Sequence, residues 1–110
     1  MRIERLSPRF SATGQITASD LVTIKAHGFR SVVNNRPDGE APGQPTSEQV
    51  AAAAGDLGLQ YVYLPVVSGA LTLQDVGEFR AVCPDLEAPT LLFCRSGARS
   101  TVLWNLAGRP

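Results

Sequence analysis

The stretch LLFCRSGARST, residues 91–101, decides how the rest of the chain is read. An apolar run stops at Cys94. Arg95, Ser96, Gly97, Ala98, Arg99 and Ser100 follow, and then an apolar run with helical spacing begins. A strand that turns into a helix at a cysteine places the sulfur where free backbone N–H groups and the helix dipole stabilise negative charge. Arg95 and Arg99 add positive charge, and both effects are expected to lower the thiol pKa from its ordinary ~8.5. Gly97 opens backbone conformations closed to other residues, so that the N–H groups of residues 94–99 can curl into an anion-binding nest. Arg99 offers a planar fork for two oxygens of an oxyanion. Ser100 can donate a hydrogen bond to Cys94 or to that oxyanion. Cys94 is therefore the candidate nucleophile and Arg99 its principal partner, with Arg95, Ser96, Gly97, Ala98 and Ser100 lining the cradle.

Outward from this loop the chain alternates helices and strands. Thr17, Thr46 and Thr72 are each followed three residues later by Asp20, Gln49 and Asp75, a spacing that satisfies free N–H groups at a helix start. Apolar residues at helical spacing follow each signal. The first helix carries Leu21, Ile24 and Lys25 and closes at Gly28. The second runs from Val50 to Leu57 and closes at Gly58. The third carries Val76, Phe79 and Val82 and stops before Pro84. Gly28 and Gly58 suit the left-handed residue that ends a helix. Between the helices, residues 29–35, 59–67 and 90–94 read as strands, and the N-terminal IERL and RFSATGQ as one or two more. A fourth helix is expected over about 98–107, with Val102, Leu103 and Leu106 inward. Alternation of this kind predicts an α/β fold with a mainly parallel sheet flanked by helices. Ligands in such sheets bind beyond the carboxyl ends of the strands, where Cys94 falls.

The bulk numbers narrow the classes. A chain of 110 residues with 44% hydrophobic content suits a single domain, residues 1–110, with one core. Its formal net charge is zero and it has no basic tract, which argues against nucleic-acid binding. No apolar run approaches the ~20 residues of a membrane span, and the N-terminus lacks the apolar centre of a signal peptide. A cytoplasmic location is expected. Cys83 and Cys94 are the two cysteines and His27 the one histidine, too few for a disulfide scaffold or a metal cluster. Neither a metal nor a cofactor is expected.

The loop CRSGARS resembles the active-site loops of two superfamilies. Cysteine-dependent protein phosphatases place five residues between the Cys and an Arg that a Ser or Thr follows. Rhodanese-type sulfurtransferases place four, as this chain does. SATGQITASDL, GFRSVVNNRPDGEAPGQP, AAAAGDLGLQYVYLPV and FCRSGARSTVLWNLA together resemble a bacterial family. It is called the beta-lactamase-hydrolase-like, phosphatase-like domain, and is also described as a sulfur transferase family. The resemblance covers most of residues 10–107. It implies a phosphatase-like three-layer fold with Cys94 as nucleophile and the 94–99 loop between the last strand and a helix. Relatives occur alone or fused to persulfide- or sulfide-oxidising enzymes, which suggests sulfide-oxidation partners.

Phosphoryl and sulfur chemistry both use a thiolate and differ in what else they need. A phosphatase needs a general acid for the leaving oxygen. No Asp or Glu lies between Gln60 and Gln74, where the resemblance would place it. Asp75 fits a helix cap, and Asp38 or Glu40 would have to swing in. Phe93 stands where phosphatases usually have a histidine. A sulfurtransferase needs no acid, because sulfite or a thiolate leaves unprotonated. Sulfur transfer from thiosulfate or a persulfide to a thiol or cyanide is therefore expected first. A phosphatase of the protein tyrosine or dual-specificity type, acting on a phosphate ester, comes second, and a non-catalytic oxyanion-binding domain third. Arg36 either orients the anion or pairs with a carboxylate. Cys83 is expected to be a buried apolar residue rather than a resolving thiol, and Trp104, Tyr61 and Tyr63 to serve packing. A homodimer is a further expectation, should the fourth helix leave apolar surface bare.

Overall fold

A computed structural model describes all residues from Met1 to Pro110. The elements are β1 (Glu4–Arg5), β2 (Phe10–Thr13), α1 (Ala18–Ala26), β3 (Ser31–Asn34), α2 (Ser47–Asp56), β4 (Gln60–Tyr63), α3 (Leu73–Val82), a 3-10 turn (Cys83–Asp85), β5 (Thr90–Phe93) and α4 (Ala98–Leu106). All three expected capping boxes are present, with each Thr hydroxyl accepting the N3 amide and each N3 side chain accepting the Thr amide. Gly28 and Gly58 close α1 and α2 in the left-handed region, at φ +94° and +71°. The strands are shorter than the sequence suggested. Pro84 does not end α3 directly, since it sits inside the 3-10 turn that follows.

The sheet order is β1-β2-β5-β3-β4, parallel throughout except for β1 against β2. All residues of β2, β3 and β5 are buried, as expected for parallel strands covered on both faces. Alternation divides them between two cores. Val32, Leu91 and Phe93 join Leu21, Ile24, Val50 and Ala54 of α1 and α2. Val33 and Leu92 join Phe10, Phe79, Leu103 and Trp104 on the α3–α4 side. This is the expected three-layer α/β architecture.

Register places the site. Phe93 pairs with Thr13 on one side and Asn34 on the other, and Asn34 pairs with Tyr63. Four parallel strands thus end in one row. The segments that follow them, starting at Gly14, Asn35, Leu64 and Cys94, emerge on the same edge of the sheet, with Cys94 central.

The inward face of α4 differs from expectation. Ser100, Leu103, Trp104 and Ala107 are buried, while Val102 and Leu106 are 49% and 58% exposed. The buried positions follow i, i+3, i+4, i+7 spacing, so the helix is amphipathic with its first inward position held by a serine. The Ser100 hydroxyl donates to buried Asn35 Oδ1 at 2.8 Å, so the one polar position on this face is satisfied.

Candidate active site

Cys94 follows the central strand and is 1% exposed. Gly97, the N-cap of α4, lies at φ +92° and turns the chain so that its amide donates to Cys94 Sγ at 3.1 Å. Burial pushes the thiol pKa up. Hydrogen bonds from the Ser100, Ser96 and Gly97 amides more than offset this, and the pKa ends below its ordinary value. The lowering thus comes mainly from aimed donors, not from the guanidinium charges expected from the sequence. The Arg95 side chain is exposed and forms no ion pair, and only its carbonyl is used, accepting the Gln15 amide at 3.2 Å. The amides of Arg95 and Arg99 have no acceptor within the protein, which leaves them free for an anion.

The end of β2 braces the loop. Cys94 N donates to Thr13 O at 3.4 Å. A Cβ added to Gly14 would lie 2.9 Å from Arg95 O, and one on Gly97 would lie 3.3 Å from the Thr13 backbone. Only glycines allow the two segments to lie this close.

Arg99 is fixed by Glu40 and Val66. Its Nη1 donates to Glu40 Oε2 at 2.9 Å and to Val66 O at 2.9 Å, and its Nη2 donates to Glu40 Oε1 at 3.2 Å. A guanidinium has five N–H donors in one plane. These three bonds use the end of the group and leave Nε–H and one Nη2–H parallel along one edge. That edge is a complete two-donor fork for an oxyanion. Glu40 therefore aims Arg99 without covering its binding edge. Hydrogen bonds from Arg99 hold the Glu40 carboxyl below the usual carboxylate range, with partial burial opposing and Arg36 reinforcing.

Arg36 stands behind this pair. It is buried, with Nε on Glu40 Oε1 at 3.0 Å and Nη1 on Gln15 Oε1 at 3.1 Å. It steadies Glu40 and Gln15, which is the carboxylate-pairing role of the two considered for it. Asp38 Oδ1 accepts the Ser47 amide at 2.8 Å and Asp75 Oδ2 accepts the Thr72 amide at 2.9 Å. The carboxylates considered as acids are thus committed to backbone or to arginine. Tyr63 Oη accepts the Asp38 amide, pinning the 36–46 loop, and Tyr61 Oη meets Asn34 and Ser47. Cys83 lies in the α3–α4 core, where burial pushes its thiol up to about 11. Trp104 is buried in the same core, with an indole N–H that finds no partner.

Gly14, Gln15 and Asn35 escaped the sequence reading. Each acts across the sheet edge, and no local spacing marks them. The larger surface hollow, of about 680 Å³, is lined by Arg2, Gln15, Ser96 and Thr101 among others but not by Cys94 or Arg99. A smaller one of about 450 Å³ includes Arg99, and both hollows touch the loop, the larger through Ser96, Gly97 and Ala98 and the smaller through Ala98 and Arg99.

A buried cysteine at the end of the central parallel strand, a nest of amides at a helix start and an arginine held by a carboxylate define a cysteine-dependent site on a phosphatase-like fold. The chain belongs to the family described as the Beta-lactamase hydrolase-like protein, phosphatase-like domain, whose model matches residues 2–109. It is 36% identical over 106 residues to the Beta-lactamase hydrolase-like protein of Agrobacterium fabrum, and 35% identical over 107 residues to that of Xylella fastidiosa. These matches cover 96% and 97% of the chain but 25% of each relative, so the chain spans about a quarter of their length. Among solved structures, a phosphatase-like protein of Neisseria meningitidis superimposes with a TM-score of 0.87 at 30% identity, covering 94% of this chain and 74% of that one. The core catalytic domain of the PP-IP phosphatase of S. cerevisiae shares the fold, with a TM-score of 0.66 at 9% identity over 97% of this chain and 74% of its own.

Proposed function

We propose that the chain is a sulfurtransferase that carries sulfane sulfur as a Cys94 persulfide. The observation that supports this best is that none of the carboxylates considered as acids is poised as one. Glu40 is held ionised between two arginines, and Asp38 and Asp75 each accept a backbone N–H. Sulfur transfer has no use for an acid. The Cys94 thiolate attacks the outer sulfur of thiosulfate, the new S–S bond forms as the old one breaks, and sulfite leaves with the bonding electron pair. The persulfide anion left on Cys94 is stabilised by the loop amides. An acceptor thiolate or cyanide then takes the terminal sulfur and the Cys94 thiolate returns.

Phosphoryl transfer is the second reading, favoured by the phosphatase-like relatives. In it Cys94 attacks phosphorus and water hydrolyses the phosphocysteine. Purified protein given thiosulfate and cyanide is expected to produce thiocyanate, and thiosulfate alone is expected to leave the Cys94 peptide one sulfur heavier. Aryl phosphate turnover that Cys94→Ser abolishes, with no thiocyanate formed, would replace the first reading with the second.

A further inference from the structure

The hollow of about 450 Å³ beside Arg99 is walled mainly by Val67, Leu71, Ala98 and Val102, with Ser68 and Gly69 at one side and Arg99 the one charged residue. Val67 is 61% and Val102 49% exposed, so apolar side chains face water next to a guanidinium. No Asp, Glu, Lys or Arg occurs from Leu59 to Gln74, the segment that supplies one side of the hollow. Ala98 and Arg99 belong to the start of α4 directly after the Cys94 loop, so the hollow adjoins that loop. The Nε–Nη2 edge of Arg99 is free of protein acceptors.

We infer that this hollow is a subsite for an apolar organic group carried by the oxyanion, and that the preferred sulfur donors are organic thiosulfonates, R–SO2–S−, with an aryl or alkyl R. This rests on the sulfur-transfer reading and specifies its substrate class. The two sulfonyl oxygens match the two donors of the Arg99 fork. The group R covers Val67, Leu71 and Val102 and removes them from water. The outer sulfur is then offered to Cys94. The thiolate forms the new S–S bond, the sulfur–sulfonyl bond breaks, and the sulfinate R–SO2− leaves with its electron pair. Charge balances without a proton, consistent with the absence of a poised acid. A hydrophilic inorganic anion gains nothing from this wall.

The test uses unreactive sulfonates, so that binding is read apart from turnover. Alkylation of Cys94 by iodoacetamide is followed by mass spectrometry on the full chain, with benzenesulfonate or methanesulfonate as competitor. A ring that buries part of its apolar surface gains roughly tenfold in affinity, so benzenesulfonate is expected to protect at about a tenth of the methanesulfonate concentration. The double substitution Val67→Ser with Val102→Ser, at two exposed positions, is expected to reduce that ratio to about twofold. Equal protection by the two sulfonates, or a ratio that the double substitution leaves intact, overturns the subsite. Selective protection by benzenesulfonate in a protein that makes no thiocyanate upholds the subsite and removes the sulfur-transfer reading instead.

Discussion

Cys83 and Cys94 are both buried thiols on the α3–α4 side of the sheet, yet their acidities move in opposite directions. Cys83 meets apolar neighbours, and burial raises it to about 11 with only a weak opposing effect from Arg9. Cys94 is more deeply buried and also desolvated, but three amides donate toward its sulfur and its pKa falls. Burial by itself makes a thiol inert. Burial with donors already in place favours the thiolate, and the donors need no reorganisation when charge develops. The difference lies in the segment after each cysteine. Cys83 leads into a 3-10 turn with Pro84, which has no N–H to give, whereas Cys94 leads into a glycine-containing loop at a helix start.

Five measurements sharpen this contrast. Cys94→Ser is expected to lower transfer on the order of a thousandfold or more, because a hydroxyl is not ionised near neutral pH. Cys83→Ala should leave the rate within about twofold. A similar loss from both substitutions would erase the distinction. Arg99→Lys, which keeps the charge and loses the fork, and Glu40→Gln, which loosens its hold on Arg99, should each lower kcat/KM by roughly 10- to 100-fold, with Arg99→Lys the larger. Steady-state kinetics with both variants checks this, and an unchanged Glu40→Gln would show that the carboxylate does not aim the guanidinium.

The alkylation-versus-pH profile comes next. Cys94 should react with a midpoint below the ordinary thiol value and Cys83 only toward about 11. Ser100→Ala, which releases Asn35 and loosens the start of α4 where the donating amides sit, should move the Cys94 midpoint upward and leave Cys83 where it is. Stability follows with opposite signs. The depressed Cys94 favours the folded state above the unfolded thiol pKa, and that contribution fades as pH falls through its folded value. The raised Cys83 favours the folded state below about 9, and that contribution fades as pH climbs toward about 11. Denaturation midpoints of Cys83→Ala against pH isolate the second effect. The smallest change is expected from Gly97→Ala, about 1–2 kcal/mol of stability, since its φ of +92° disfavours a side chain and the new Cβ would press on Thr13. An unchanged urea midpoint would contradict it.

Much of the fold was legible locally. Capping boxes at Thr17, Thr46 and Thr72, glycines at 28 and 58, and apolar runs between them mark three helices and the strands they separate, because each signal satisfies its own backbone groups within a few residues. The rotation of α4 was not legible. Val102 and Leu106 look like core residues, but Leu103, Trp104 and Ala107 form the buried face, and the serine at its first position hides that stripe until Asn35 is seen to satisfy it. Glu40 shows the same limit. Read along the chain it was one acid among several, and only the fold brings it to Arg99 and Arg36.

The sequence by itself determined the parallel α/β order and marked Cys94, Gly97 and Arg99 as the candidate nucleophile and cradle, since these three lie together within six residues of chain. Only the tertiary structure decided which donors set the thiolate and which edge of Arg99 stays open. Those depend on Thr13, Gly14, Gln15, Asn35, Glu40 and Val66, which the aligned ends of parallel strands bring together from distant parts of the chain.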